Sequence, residues 1–269
     1  MFFLRKTSTI FLFILFNMAE TICSFSHFLV SKEEKKEKEV DKCGYSIQYN
    51  SDYLYLLRSI SFILGDENCS IYKRKIIFTA KKVQTLEMHL MEREKKTSKA
   101  SLSYNSCLSL LYNLANQNSF LEKEKDKDKK YSIFCIRLKD ILVINDSNFI
   151  FVNPENIGPV DAAGQITFLS PFSRHGFCSP EILLLAFLPC KLDVETFYYS
   201  LGALAVFCIS NVNVSNSFTD VTEFSRSPSE SGSKIDLSSV LKQIFGTKLY
   251  WTILRLLHVE PKKRTFLFV

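Results

Sequence analysis

Several familiar signatures are missing from this 269-residue chain. Its eight cysteines, at 23, 43, 69, 107, 135, 178, 190 and 208, include no Cys-x-x-Cys pair, and no histidine stands at metal spacing from them. A zinc module and a disulfide framework are therefore both unsupported, and the thiols read as small core residues of a protein in a reducing compartment, the cytoplasm. Glycine and proline are scarce, at 8 and 7, and neither Gly-x-Gly-x-x-Gly nor a Gly-Lys-Ser/Thr loop occurs. Charge of one sign is not segregated. The 34 basic and 28 acidic residues are interleaved, so the net charge of +6 makes no basic face and argues against a nucleic-acid partner.

What is present is globular: 46% hydrophobic residues, 24 Phe and 11 Tyr, enough for a substantial core. After Arg5-Lys6 comes the uncharged run "TSTIFLFILFNMA" (7–19), stopped by Glu20 and followed by a second apolar patch, "TICSFSHFLV". Thirteen residues are short for a membrane span, which needs about 20, so a membrane role is not expected. The run fits a hydrophobic element packed on the domain or, alternatively, a signal-peptide core leading to the secretory pathway. Unpatterned cysteines favour the packed element. Sequons at Asn68, Asn145 and Asn213 are too easily matched by chance to reverse that. "KEEKKEKEVDK" (32–42) reads as a solvated linker.

Farther along, "KIIFTA" (75–80) suits a strand and "TLEMHLMERE" a short helix. "ASLSYNSCLSLLYNLANQNSF" places Tyr104, Leu108, Leu111 and Ala115 on one helical face. The charged run 122–130 predicts an exposed loop or helix extension. "DILVIND" and "NFIFVN" around Asn145-Asp146-Ser147-Asn148 predict a β-hairpin, with "NPENIGPVDAAGQ" a loop behind it. "FCSPEILLLAFLPCKLDVETFYYSLGALAVFCIS" (177–210) sets "CSPE" ahead of a nearly charge-free segment that holds Tyr199-Ser200-Leu201-Gly202 and predicts a buried helix. A Ser-rich loop and two helical segments, "LSSVLKQIF" and "TKLYWTILRLLHVE", complete a mostly helical chain with one small hairpin.

This order resembles the large lobe of protein kinases, over roughly 75–269. "DILVIND" is similar to the end of the catalytic loop, His-Arg-Asp-Leu-x-x-x-Asn followed by Ile-Leu-Val. "NFIFVNPE" lies where the family has the strand into Asp-Phe-Gly, "CSPE" resembles Ala-Pro-Glu, "YYSLG" resembles part of Asp-x-Trp-Ser-x-Gly, and "LLHVEPKKRTFL" resembles the terminal Pro-x-x-Arg. The degenerate, Phe- and Lys-rich character also resembles kinase relatives of large DNA viruses.

The resemblance implies an α+β, protein kinase-like fold with a mainly helical C-terminal lobe (85–269), a truncated, degenerate N-terminal lobe and hinge (46–84), and an N-terminal hydrophobic segment and linker (1–45). It also implies an ion pair between Glu181 and Arg264, where a surface helix start is the alternative for Glu181. Aligning Asp140 with the loop's Asn puts Cys135 in the slot of the proton-accepting Asp, Asn153 in that of the metal-binding Asp and Phe197 in that of the bracing Asp. No glycine loop or Lys-bearing strand is recognisable, and Lys73, Lys75 and Lys81 are weak phosphate-binding candidates. The expectation is a pseudokinase, a binding or scaffold module for a protein partner, with no cofactor. The alternative is a divergent active kinase using Mg-ATP, held by Asp140 and Glu155, with adenine on the hinge at Ala80 and Val83. A secreted or membrane-tethered helical protein is a further alternative.

Overall fold

The computed structural model describes residues 20–33, 43–123, 129–214 and 237–266. The N-terminal run 1–19, most of the charged linker, the centre of the 122–130 run and most of the Ser-rich loop lie outside these residues.

The small lobe is an antiparallel sheet of five strands: β1 (Glu20–Ser24), β2 (Phe28–Glu33), β3 (Cys43–Tyr49), β4 (Cys69–Tyr72) and β5 (Lys75–Ala80), in spatial order β1-β2-β3-β5-β4. Helix α1 (Leu54–Leu64) lies between β3 and β4 in sequence and packs its Leu56, Leu57 and Ile60 into the core. Tyr45, Ile47 and Tyr49 alternate inward along β3, and the Ser31 and Ser46 hydroxyls meet at 3.0 Å across β2 and β3. The expectation of a small-lobe remnant starting at residue 46 is corrected here, because the sheet begins at Glu20. Its strands are short, and the β1-β2 turn, "FSH", contains no glycine or proline to mark it.

Val83–Thr85 forms β6, which carries the chain into the large lobe. Thr85 caps α2 (Leu86–Thr97), its Oγ1 accepting from Met88 N at 3.2 Å. Helix α3 (Tyr104–Lys123) follows, and its buried face only partly matches the one expected. Leu111 and Ala115 are buried as expected, together with Cys107, Leu110, Leu114, Gln117, Asn118 and Leu121, while Tyr104 is exposed and Leu108 half-buried. Polar Gln117 and Asn118 face inward because they hydrogen-bond to strands, a burial that apolar periodicity does not register.

Beyond α3 come β7 (Lys130–Ile133) and the expected hairpin, β8 (Ile141–Ile144) and β9 (Asn148–Phe151), which pairs with β6. Its turn holds Asn145 and Asp146 at φ 54° and 59°, in the left-handed region these two side chains tolerate. The stretch read as loop contains β10 (Ile157–Val160), which joins β11 (Gln165–Phe168) and β12 (Cys190–Asp193) in a second sheet, ordered β12-β11-β10-β7. Twelve strands stand among the described residues, where the sequence predicts the strand at 75–80 and one hairpin.

The short α4 (Pro180–Leu183) leads to α5 (Thr196–Ser210), the central buried helix, in contact with α3 and with α7 (Lys248–Leu256). Leu237–Val240, α6, precedes α7. Gly202 faces the terminal helix, where an added Cβ would stand 2.9 Å from Leu256 Cβ.

Candidate functional site

The Asp140 slot is built from its neighbours. A 3-10 turn, Leu138–Asp140, delivers the side chain into a fully buried position between β7 and β8. Arg137 grips it bidentately, Nε to Oδ2 at 2.7 Å and Nη2 to Oδ1 at 3.0 Å. Asn153 Nδ2 donates to Oδ1 at 3.1 Å and Asn156 Nδ2 to Oδ2 at 3.0 Å. Both oxygens are thus filled by N–H donors. Burial pushes the carboxyl pKa up, while Arg137 and Asn153 oppose that shift.

Asn153, which the resemblance puts in the position of the metal-binding Asp, points its amide nitrogen at Asp140 and accepts at Oδ1 from Glu155 N at 3.1 Å. Glu155 joins the same cluster through Arg137, whose Nη2 lies 3.6 Å from its Oε2, while its Oε1 meets His27 Nε2 at 2.8 Å and accepts from Ser26 Oγ at 3.2 Å. This is not the donor set a hard dication needs. Such ions take several free oxygens, and here the one buried carboxylate is already shared among N–H groups.

Cys135, which the resemblance puts in the base position, is fully buried with its sulfur 2.9 Å from Cys178 Sγ and 3.4 Å from His175 O. The hydrogen bond with Cys178 and burial both push its thiol far above the usual range. Such a group is a neutral thiol and cannot accept a proton as a carboxylate would.

The space above this cluster is filled by the small lobe. The β1-β2 turn descends onto Glu155 through Ser26 and His27, and Lys139 Nζ lies 5.6 Å from the centre of the Phe25 ring. Phe25 stacks on buried Phe28, with ring centres 4.7 Å apart, and Phe28 lies against Tyr49 at 5.8 Å. Tyr49 donates its hydroxyl to Val152 O at 2.8 Å, one residue before Asn153. Gln117 holds the same strand end, donating to Phe151 O at 2.8 Å and accepting from Phe151 N at 2.7 Å.

At the hinge, Ala80 and Val83 are buried, with Ala80 paired to Cys43 and Val83 to Ile144. The Lys81 and Lys82 amides donate to Asn145 Oδ1 at 2.8 and 3.3 Å. The Tyr45 ring stacks on Phe78 with centres 6.0 Å apart, and its hydroxyl faces the Val83 amide. Lys75 pairs with Glu33 on β2, and Lys73 occupies the β4-β5 turn at φ 52°. The hinge backbone is thus already engaged by the chain's own side chains.

At the other end of the segment, Arg264 is completely buried and donates to Glu181 from both terminal nitrogens, Nη1 to Oε2 at 3.2 Å. Its Nε also donates to His258 O at 2.7 Å and its Nη2 to Val259 O at 2.9 Å, and its guanidinium lies 5.0 Å from the Tyr199 ring centre. Glu181 keeps 24% of its side chain exposed, so the pair is sealed on the arginine side only. Phe197, which the resemblance puts in the bracing position, is fully buried. Ser200 Oγ lies within hydrogen-bond reach of Phe134 O at 3.4 Å and Thr196 O at 3.3 Å, and its single proton goes to one of them at a time.

Sequence reasoning missed Arg137, Asn156, Gln117, Tyr45 and Tyr49, and it read Asn145 as a turn residue without its contacts to the Lys81 and Lys82 amides.

A five-stranded small lobe with a helix after its third strand, a hinge, and a large lobe around a buried helix define a protein kinase-like fold. Solved structures agree. The chain superposes on the autoinhibited serine kinase domain of the giant muscle protein titin with a TM-score of 0.52 at 14% identity, over 92% of this chain and 76% of that one. Titin kinase with its flanking domains gives the same score and identity, over 92% of this chain and 44% of that one. No family model and no curated protein matches the chain.

Proposed function

We propose that this protein is a pseudokinase: a protein kinase-like fold that transfers no phosphate, holds no nucleotide and works in the cytoplasm as a binding or scaffold module for a protein partner. The observation that carries the reading is the Asp140 carboxylate, saturated by Arg137, Asn153 and Asn156. Phosphoryl transfer in this fold depends on metal ions held by acidic and amide oxygens and on an Asp that accepts the hydroxyl proton. In this chain the slots hold a saturated carboxylate, an outward-donating amide and a neutral thiol.

Two further features support the loss of nucleotide. Phe25, Phe28 and Tyr49 fill the space under β1 and β2, and hinge amides donate to Asn145. The interleaved charge supports a protein rather than a nucleic-acid partner, and the free thiols support a reducing compartment. Among the described residues no helix is long and apolar enough to cross a membrane. The test is incubation of the purified chain with labelled ATP and Mg²⁺ or Mn²⁺, beside a thermal-shift titration. Neither label transfer nor a saturable shift is expected. Transfer abolished by Asp140→Ala would replace this reading with that of a divergent active kinase.

A further inference from the structure

We propose that Cys135 and Cys178 form a reversible disulfide that fastens the segment ahead of Ser179-Pro180-Glu181 to the loop ahead of Asp140. Ile136 and Phe177 form an isolated antiparallel bridge and exchange both backbone hydrogen bonds, at 3.3 and 2.7 Å. The next opposed pair outward is Cys135 and Cys178. It is of the non-hydrogen-bonded kind, in which Cα atoms approach to about 4.5 Å and side chains share a face. That separation lies inside the range of about 4.4–6.8 Å that a disulfide spans. The two sulfurs already stand 2.9 Å apart, so about 1 Å of closure reaches the bond length of about 2.0 Å.

Gly176 makes this closeness possible. At φ 118°, its position would set a Cβ 2.5 Å from the Ile136 carbonyl oxygen, so a side chain there would force the two segments apart. The exposed stretch 173–176 covers the pair, Cys178 Sγ lying 3.5 Å from Arg174 O and Cys135 Sγ 3.4 Å from His175 O. An oxidant reaches the thiols when that stretch lifts, and the buried pair reacts slowly but with a partner preset.

With glutathione disulfide as oxidant, one cysteine loses its proton and attacks a glutathione sulfur, expelling one glutathione thiolate. The second cysteine then attacks the mixed disulfide at the protein sulfur and expels the other. Two protein thiols are oxidised by two electrons, one glutathione disulfide is reduced to two glutathiones, and the two protons pass to the departing thiolates. The bond adds a covalent anchor before Ser179 to the noncovalent one after it, Glu181 with Arg264. Closing so long a loop restrains the unfolded chain and raises the melting temperature.

The test equilibrates the native full-length chain in glutathione buffers of increasing oxidation, then quenches it in acid, unfolds, alkylates and digests it with trypsin. The expected product joins peptide 131–137 to peptide 175–191. Cys190 shares the second peptide, so the experiment uses a C190S background. Oxidation should raise the melting temperature by several degrees, dithiothreitol should reverse the rise, and C178S or C178A should abolish both linkage and rise. Two alkylated cysteines after oxidation with the fold intact by circular dichroism, or linkage only in unfolded protein, would overturn the proposal.

Discussion

Arg264 collects more fixed partners than any other charged side chain described above: a carboxylate, two carbonyls and an aromatic face, around a guanidinium that is itself fully buried. Removing Glu181 leaves that guanidinium buried without its counter-charge. E181A should therefore cost about 3–5 kcal/mol in urea unfolding, and E181Q, which keeps one acceptor, clearly less. A cost of a few tenths for E181A would mean that the arginine finds water. His89 offers a second test. It is buried, with Nδ1 2.8 Å from Gln84 Nε2 and 3.3 Å from Asp146 Oδ1. Burial pulls its pKa down; the Asp146 carboxylate opposes this, and Arg93 and Lys82 add to it. Because the folded form resists protonation, His89 contributes stability fully above the unfolded value near 6.5, and that contribution is lost as pH falls from there through the folded value. The urea midpoint should drop between pH 7.5 and pH 5.5, and H89Q should flatten the drop. An unchanged slope in H89Q would assign it to other groups.

Among the elements, those with long or doubled periodic signals were legible. The β8-β9 hairpin announced itself through two β-branched runs around Asn145-Asp146, and α5 through fifteen residues without a charge. The β1-β2 hairpin did not, since its turn lacks glycine and its strands gain their identity from pairing with β3 rather than from alternation. β10 was equally silent, a four-residue strand containing Gly158 and Pro159 that is held by β7. The position given to Cys135 rests on the resemblance, whereas the Arg137 and Asn156 grip on Asp140 depends on distances that counting along a motif does not supply. If the β1-β2 hairpin closes the cleft, Phe28 is a core residue rather than a lid. F28A should then cost about 3–5 kcal/mol in urea unfolding, as for other large core truncations. A loss below about 1 kcal/mol would show that the hairpin lifts freely away from Tyr49.

For the whole molecule, the two lobes keep a kinase-like arrangement while the interior between them has been given over to packing and hydrogen bonds. Aromatic contacts run from Phe25 through Phe28 and Tyr49 to Tyr53, Tyr55 and Tyr131, tying the small-lobe sheet to α1 and β7. On the proposed reading, these contacts hold the lobes together without nucleotide. The most direct measurement is a thermal-shift titration of the full chain with Mg-ATP, run beside labelled-ATP transfer. The account predicts an unchanged melting temperature at every nucleotide concentration and no labelled protein. A saturable rise in melting temperature, or label transfer lost in Asp140→Ala, would contradict it.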